Sequence, residues 1–388
     1  MNKYLEEAQA MYAELVANRR YLHAHPEIRD DLPLTTAFIK EKLTEYGVAW
    51  QEISKCGIVA LIEGAKPGKV VLLRTDMDAL AMQEESGLDF ASQSQYAHCC
   101  GHDLHATMLL GACKLLQQHR EEIEGTVKLM FQPGEEYFLG AKAMVAAGVL
   151  ENPHVDAAFG MHVNTTHKKG QVAMYSGPCY ASCDGFKITL IGKGCHGSQP
   201  ALGVDPINAA VHIYLAFQEL LAREVQGNEM VALTFGQLAA GHAANIIPNE
   251  AVMQGTLRCY NMETRAFVMQ RMQELLACLC KAYRVDYKYE VLSEVPVVTT
   301  SSAMQEAARR YCADLGVEFM PLEPLCGSED FGEISELVPS GHFGLGCCPS
   351  DYPCYPLHSP KIRFDEEALP IGVALWVNTA IGYLKEYK

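Results

Sequence analysis

The chain has 388 residues, 49% hydrophobic and 20% charged, enough to bury a sizeable core in one large or two smaller domains. With 31 Lys+Arg against 47 Asp+Glu, its formal net charge of -16 repels a phosphate backbone and excludes an electrostatic footprint for nucleic acid. The 15 cysteines are odd in number, scattered and never spaced Cys-x-x-Cys, which fits neither a disulfide framework nor a zinc ribbon. Reduced thiols in a cytoplasmic protein are expected, most of them, such as Cys113, Cys278 and Cys280, serving as small core hydrophobes.

In chain order, Leu5, Ala8, Tyr12 and Leu15 recur at helical spacing, so the start reads as a helix of the mature protein rather than a leader. No run approaches the roughly 18 apolar residues that a membrane span needs, and no membrane partner is expected. From about Ile58 to Val163, short apolar runs (IVALI, VVLLR, VKLMF, DAAFGMHV) alternate with the helix-length segments ATMLLGACKLLQQH and AKAMVAAGV. That rhythm predicts an α/β domain with a central, mainly parallel sheet flanked by helices.

The texture changes between Asp184 and about Glu294. FKITLIG alternates with period two, PINAAVHIYLAFQELLA is an apolar-rich helix, and VALTFGQL and AVMQGTLRCY read as strands. A long helix, Thr264 to Ala282, and a last strand, VDYKYEVL, complete a β-α-β-β-α-β order, which predicts a two-layer sandwich with both helices on one sheet face. After Ser293 the α/β alternation returns with AMQEAARRYCADLG, GHFGLG and EEALPIGVALWVNTAIGYL. The expected organisation is therefore a discontinuous α/β domain, residues 1–183 and 295–388, interrupted by an inserted domain, residues 184–294.

Functional groups in open α/β sheets gather beyond the carboxyl ends of the strands. VVLLR runs into Asp76-Met77-Asp78, VKLMF runs through Gln132-Pro133-Gly134 into Glu135-Glu136, and AAFG runs into Met161-His162. Between the first two lies His98-Cys99-Cys100-Gly101-His102-Asp103-Leu104-His105, the densest His/Cys/Asp cluster in the chain. A glycine between Cys100 and His102 allows a tight turn that points both side chains at one metal. Of the adjacent Glu135 and Glu136, one carboxylate can bind metal while the other takes the proton of a bound water. Taken singly, each feature has an ordinary explanation: a solvated Glu pair, a satisfied core histidine, aspartates forming turns. All of those explanations would have to hold together for the site to vanish.

LRTDMDALAMQE, HCCGHDLHATMLLGA, FQPGEE, GMHV, GVDPINAA, NIIPNEAVMQGTLR, GSEDF and LHSP closely resemble the metal-dependent amidohydrolases that include hippurate hydrolases, indole-acetyl-amino-acid hydrolases and N-acetyl-diaminopimelate deacetylases. The resemblance runs from Leu22-His23-Ala24-His25-Pro26-Glu27 to the FDEEAL segment, essentially the whole chain. It implies two divalent metal ions held by Cys100, His102, Glu136, His162 and His358, with the Cys100 thiolate bridging them and Glu135 as general base. Asp78 is implied to orient a neighbouring group rather than to bind metal. In the inserted domain the resemblance assigns His196 to the scissile carbonyl oxygen across a dimer interface, and Asn245 and Arg258 to the substrate's carbonyl and carboxylate. It thereby makes the insert a lid and dimerisation domain, with a homodimer or tetramer as the working form. Cys99, Gly134 and Cys195 depart from the usual family residues, but none removes a proposed catalytic group.

The implied reaction is hydrolysis of an N-acyl amino acid (N-acetyl, benzoyl or similar) to a carboxylate and a free amino acid, with a dipeptidase acting on small dipeptides as the alternative. The small-molecule acyl group is not legible in one sequence. A thiolate favours zinc, while imidazole and carboxylate also accept Mn, Co or Ni. A Cys100 nucleophile would leave Glu136, His162 and His358 without work, and a binding protein without turnover would not need Glu135.

Overall fold

The computed structural model describes residues 2–321 and 323–387. The chain divides into two compact units, Met1–Gly177 with Thr299–Pro324 and Glu333–Lys388, and Pro178–Val298 with Leu325–Gly332. The segment Leu325–Gly332 thus differs from the expected division at 295. Backbone bonding ties it to the second unit: Leu325 N donates to Cys179 O at 2.7 Å and Ala181 N to Gly327 O at 3.0 Å.

In the first unit an eight-stranded sheet runs in the order Ala49–Ser54, Gly57–Glu63, Glu124–Gln132, Lys66–Asp76, Ala157–Lys168, Ser340–Cys348, Val172–Met174, Phe319–Pro321. The four central strands, from Glu124–Gln132 to Ser340–Cys348, are mutually parallel, as the α/β alternation predicts. Around them the sheet is mixed. The Ala49–Ser54 and Gly57–Glu63 strands join by a tight turn and pair antiparallel, and Gly57–Glu63 is antiparallel to Glu124–Gln132. A parallel partner would need a crossover of a dozen or more residues, which the short link between those two strands cannot supply. Val172–Met174 likewise turns back antiparallel on Ser340–Cys348.

Residues 70–76 of the Lys66–Asp76 strand are buried without interruption, as expected for a strand covered on both faces. Two helices, His102–Gln118 and Leu369–Glu386, are apolar nearly all round and are the core helices of this unit. The second lies within the only segment among the described residues long and apolar enough to cross a membrane, yet 83% of that window is buried. The amino-terminal helix is in fact two, Lys3–Ala10 and Tyr12–Ala24, separated at Met11. A helix at Pro33–Glu45 has no clear apolar stripe in the sequence, because two of its four buried residues are Thr35 and Thr36.

The second unit holds a four-stranded antiparallel sheet ordered Val231–Ala240, Glu250–Cys259, Cys183–Ile191, Asp286–Val295. Glu250–Cys259 alternates strictly, burying Ala251, Met253, Gly255, Leu257 and Cys259. That face meets Ile213, Phe217 and Leu220 of helix Pro206–Glu224 and Val268, Met272 and Leu276 of helix Met262–Tyr283 in one apolar cluster. Asp205 and Asn261 cap these helices, each accepting two backbone N–H groups of the first turn.

Two cysteine expectations are corrected: Cys278, expected in the core, is exposed, and one pair is bonded. Cys348 and Cys354 are joined as a disulfide across a six-residue return, Cα–Cα 5.6 Å, and the other 13 cysteines are free. The return after the Ser340–Cys348 strand creates this proximity, which a spacing of six does not signal.

Candidate metal centre

All of the candidate groups expected on the α/β sheet lie in the first unit and converge. Cys100 is 6% exposed and His102 fully buried, on either side of Gly101, whose φ of 95° is left-handed. A Cβ at Gly101 would stand 2.3 Å from Val163 Cγ2, so the glycine serves both the turn and the close approach of the 157–168 strand. His102 then opens the helix His102–Gln118. Gly134, φ 66°, makes the matching turn after the 124–132 strand and leads into Glu135 and Glu136.

Two donor groups overlap on one sulfur. Cys100, His102 and His162 place ligand atoms within 4.8 Å of one another, and so do Cys100, Glu136 and His358. Cys100 Sγ is 3.3 Å from His162 Nε2, and His358 Nε2 is 3.3 Å from Glu136 Oε1. His162 Nδ1 lies 2.6 Å from the Val163 carbonyl and so carries the proton, which leaves Nε2 bare toward the thiol. His358 has a positive φ of 64°, and its N–H donates to Cys99 O at 3.0 Å, tying the loop to the Cys99-Cys100 backbone.

Asp78 organises the turn beside these groups. Its Oδ1 accepts from Glu135 N at 2.9 Å and its Oδ2 from Glu136 N at 3.2 Å. The same Oδ1 is 3.5 Å from His102 Nδ1, which directs His102 Nε2 away from it and to 3.9 Å from both Glu135 Oε2 and Glu136 Oε1. Asp78 therefore orients Glu135 and Glu136 through their backbone N–H groups and sets its charge beside the His102 ring, as a supporting carboxylate does.

The electrostatics suit a bound cation. Burial and the nearby carboxyl groups of Glu136, Glu135 and Asp76 push the Cys100 thiol well above the ordinary thiol range. Burial favours neutral His102, yet Asp76, Asp78 and Glu136 outweigh it and lift the imidazole to about 10. Burial also opposes the charge on Glu136, but His358, His102 and Cys100 hold that carboxyl below its ordinary value. His102 Nε2 and Glu136 Oε1 are buried without a hydrogen-bond partner. Unpaired buried donors and acceptors cost about 1–3 kcal/mol each, and a divalent ion would satisfy both. One thiol, three imidazoles and a carboxylate form a donor set suited to such ions.

His196, Asn245 and Arg258 belong to the second unit. His196 sits exposed on the two-residue strand Cys195–His196, paired with Ile246–Ile247. Ser198 N donates to His196 Nδ1 at 3.2 Å, so the neutral ring carries its proton on Nε2. Asn245 O accepts from Gly197 N at 2.7 Å, which places Asn245 beside the His196 turn. Arg258, on the Glu250–Cys259 strand, donates from Nη1 to Ser328 Oγ at 2.8 Å.

Sequence reasoning left one group unassigned. Asp76, taken as a turn former, and His105, one of several histidines in its segment, form a fully buried pair with Nδ1···Oδ1 of 2.6 Å. A histidine directly before an apolar helical run carries no signal for such a partner.

A parallel-centred sheet with potential metal donors converging at its strand ends marks a candidate metal centre, and the comparisons give its class. The chain is 36% identical over 385 residues to IAA-amino acid hydrolase ILR1-like 4 of Arabidopsis thaliana, covering 96% of this chain and 86% of that one. It is 33% identical over 383 residues to the N-acetylcysteine deacetylase of Bacillus subtilis, covering 98% and 99%. The crystal structure of Bacillus subtilis YXEP, a dinuclear metal-binding peptidase from the M20 family, superposes with a TM-score of 0.83 at 32% identity, covering 97% of this chain and 99% of that one. Residues 72–381 match peptidase family M20/M25/M40, and the chain belongs to that family. It is accordingly a metal-dependent hydrolase of amide bonds.

Proposed function

We propose that the protein is a two-metal amidohydrolase that cleaves N-acyl amino acids into a carboxylate and a free amino acid. The observation that carries the two-metal reading is the pair of donor groups sharing Cys100, one completed by His102 and His162, the other by Glu136 and His358. Cys100, common to both groups, would help to hold both ions. The ions, when bound, lower the pKa of water and polarise the scissile carbonyl.

Glu135 is the carboxylate of the turn left outside these two groups. It takes a proton from the attacking water and returns it to the leaving nitrogen as the C–N bond breaks. His196, with its proton on Nε2, donates to the developing oxyanion from the second subunit of a homodimer. Asn245 contacts the carbonyl, and Arg258 pairs with the amino acid's carboxylate through its planar fork. An N-acyl amino acid is favoured over a dipeptide because the two relatives above are named for the release of an acyl group from an amino acid.

Elemental analysis of the purified protein should return two divalent ions per chain. A panel of N-acetyl and N-benzoyl amino acids and dipeptides should give higher kcat/KM on the acyl compounds, and the reverse order would make the protein a dipeptidase. Mixing His196→Ala subunits with Glu135→Ala subunits should restore activity that neither has alone. No restoration would place His196 outside the partner's site.

A further inference from the structure

A buried chain of hydrogen bonds runs behind the candidate ligands. Arg74 Nε donates to Gln132 Oε1 at 2.9 Å, and Arg74 Nη1 to Asp76 Oδ2 at 2.9 Å. Asp76 Oδ1 meets His105 Nδ1 at 2.6 Å, and His105 Nε2 meets Val163 N at 2.9 Å. The Val163 carbonyl in turn faces His162 Nδ1 at 2.6 Å. Gln132, Arg74, Asp76 and His105 are all 2% exposed or less.

Donor rules fix every proton along this chain. A backbone N–H can only donate, so His105 Nε2 is bare and its Nδ1–H points to Asp76. Both ring nitrogens are thus committed, and His105 is not free to ligate, although its ring packs edge-on against His162 with centroids 4.6 Å apart. Val163 is held at its N–H by His105 and at its carbonyl by His162. That double hold sets both the tautomer and the direction of His162, whose Nε2 faces Cys100 Sγ. Burying an Arg–Asp pair seldom adds stability over apolar side chains of similar size, so its presence here calls for another role.

We infer that His105, anchored by Asp76, is a positioning residue that acts through the Val163 backbone to present His162 Nε2 to the metal. This rests on the two-metal reading above. The expectation is specific about which ring nitrogen matters. His105→Gln can offer an acceptor near the Nε2 position and preserve the Val163 hold, whereas His105→Asn reaches Asp76 but not Val163.

The test uses full-length protein reconstituted with Co(II), read by chelator competition and by the thiolate-to-cobalt absorption band. His105→Asn should weaken affinity for the ion bound by Cys100, His102 and His162 by roughly 10–100-fold and shift the band, as loss of an outer partner of a ligating histidine does. His105→Gln, which keeps the Val163 acceptor but loses the Asp76 contact, should lose clearly less affinity than His105→Asn on the same scale. Activity should show a larger loss in kcat than in KM for His105→Asn. Equal Co(II) affinity and spectra for Asn and Gln variants overturn the inference. Should His105→Asn fail to fold, Asp76→Asn removes the charge holding His105 Nδ1–H and must weaken the same ion; an unchanged affinity there also overturns it. Wild-type protein that binds no Co(II) at all refutes the metal reading itself, which is a different outcome from two ions bound equally by every variant.

Discussion

Proton release on metal binding can be worked out from the buried groups. In the metal-free protein near pH 7 the Cys100 thiol is raised well above its usual range and His102 is raised to about 10, so both carry protons. A metal ion needs the thiolate and the bare imidazole, so binding at Cys100, His102 and His162 displaces two protons. Each displaced proton makes affinity change tenfold per pH unit, about 1.36 kcal/mol. From about pH 7 to about pH 8 affinity should therefore rise roughly 100-fold, about 2.7 kcal/mol, and fall by the same factor per unit in the acid direction. Chelator competition at several pH values measures this as a slope of log affinity against pH, expected near two. Cys100→Ser should reduce the slope by about one, because the thiol proton is no longer there to be displaced. A wild-type slope of one or less would refute the account, since Cys100 or His102 would then not be a protonated group that the metal displaces.

Asp78→Ala should release the Glu135 and Glu136 N–H groups and the His102 ring together, weakening metal affinity about 10–100-fold in equilibrium dialysis. Gly101→Ala should lower stability by more than the roughly 1–2 kcal/mol of a strained left-handed residue, because its Cβ also meets Val163; denaturant melts check this. Arg19 and Asp103 form a buried pair at 2.8 Å, and Arg19→Met should cost about 3–5 kcal/mol. Burial alone would raise the Asp103 carboxyl, but Arg19 and His23 hold it well below the carboxylate range. Its contribution is thus fully present above the unfolded value of about 4 and is lost as pH falls below it, so Tm should drop on acidification. Asp103→Asn should flatten that acid limb, and an unchanged limb would assign it to other groups.

The sequence reported the site better than the sheet. Cys100-Gly101-His102, Glu135-Glu136 and His162 were legible because each sits where a predicted strand or helix ends, and chain direction alone brings such ends to one edge. The parallel core was legible for the same reason, since helices separate its strands. The antiparallel Ala49–Glu63 hairpin was not, because Ala49–Ser54 is largely exposed and lacks an apolar run. Periodicity reports that a side chain is buried without naming what it touches. Taken singly, Asp78 reads as a turn former, and only the family resemblance gives it an orienting role; the N–H groups it accepts lie 57 and 58 residues away. His105 and Asp76, 29 residues apart, were hidden in the same way.

Charge explains why these separate features belong to one design. Asp76, Asp78, Glu135 and Glu136 bring four carboxyl groups to the buried edge where Cys100 stands, and Arg74 is the buried arginine bonded there, committed to Asp76 and Gln132. In the metal-free protein the balancing charge falls to a proton on His102, which explains how a histidine with no solvent exposure is pushed up to about 10 rather than down. The thiol stays protonated, and both His102 ring nitrogens and Glu136 Oε1 lack a hydrogen-bond partner. Divalent ions would remove each deficit at once, by taking the thiolate, the bare imidazoles and the free carboxylate oxygen as ligands. Glu135, held by Asp78 in the same turn but outside the two groups that share Cys100, is the carboxylate to which the proposed mechanism gives the proton transfer.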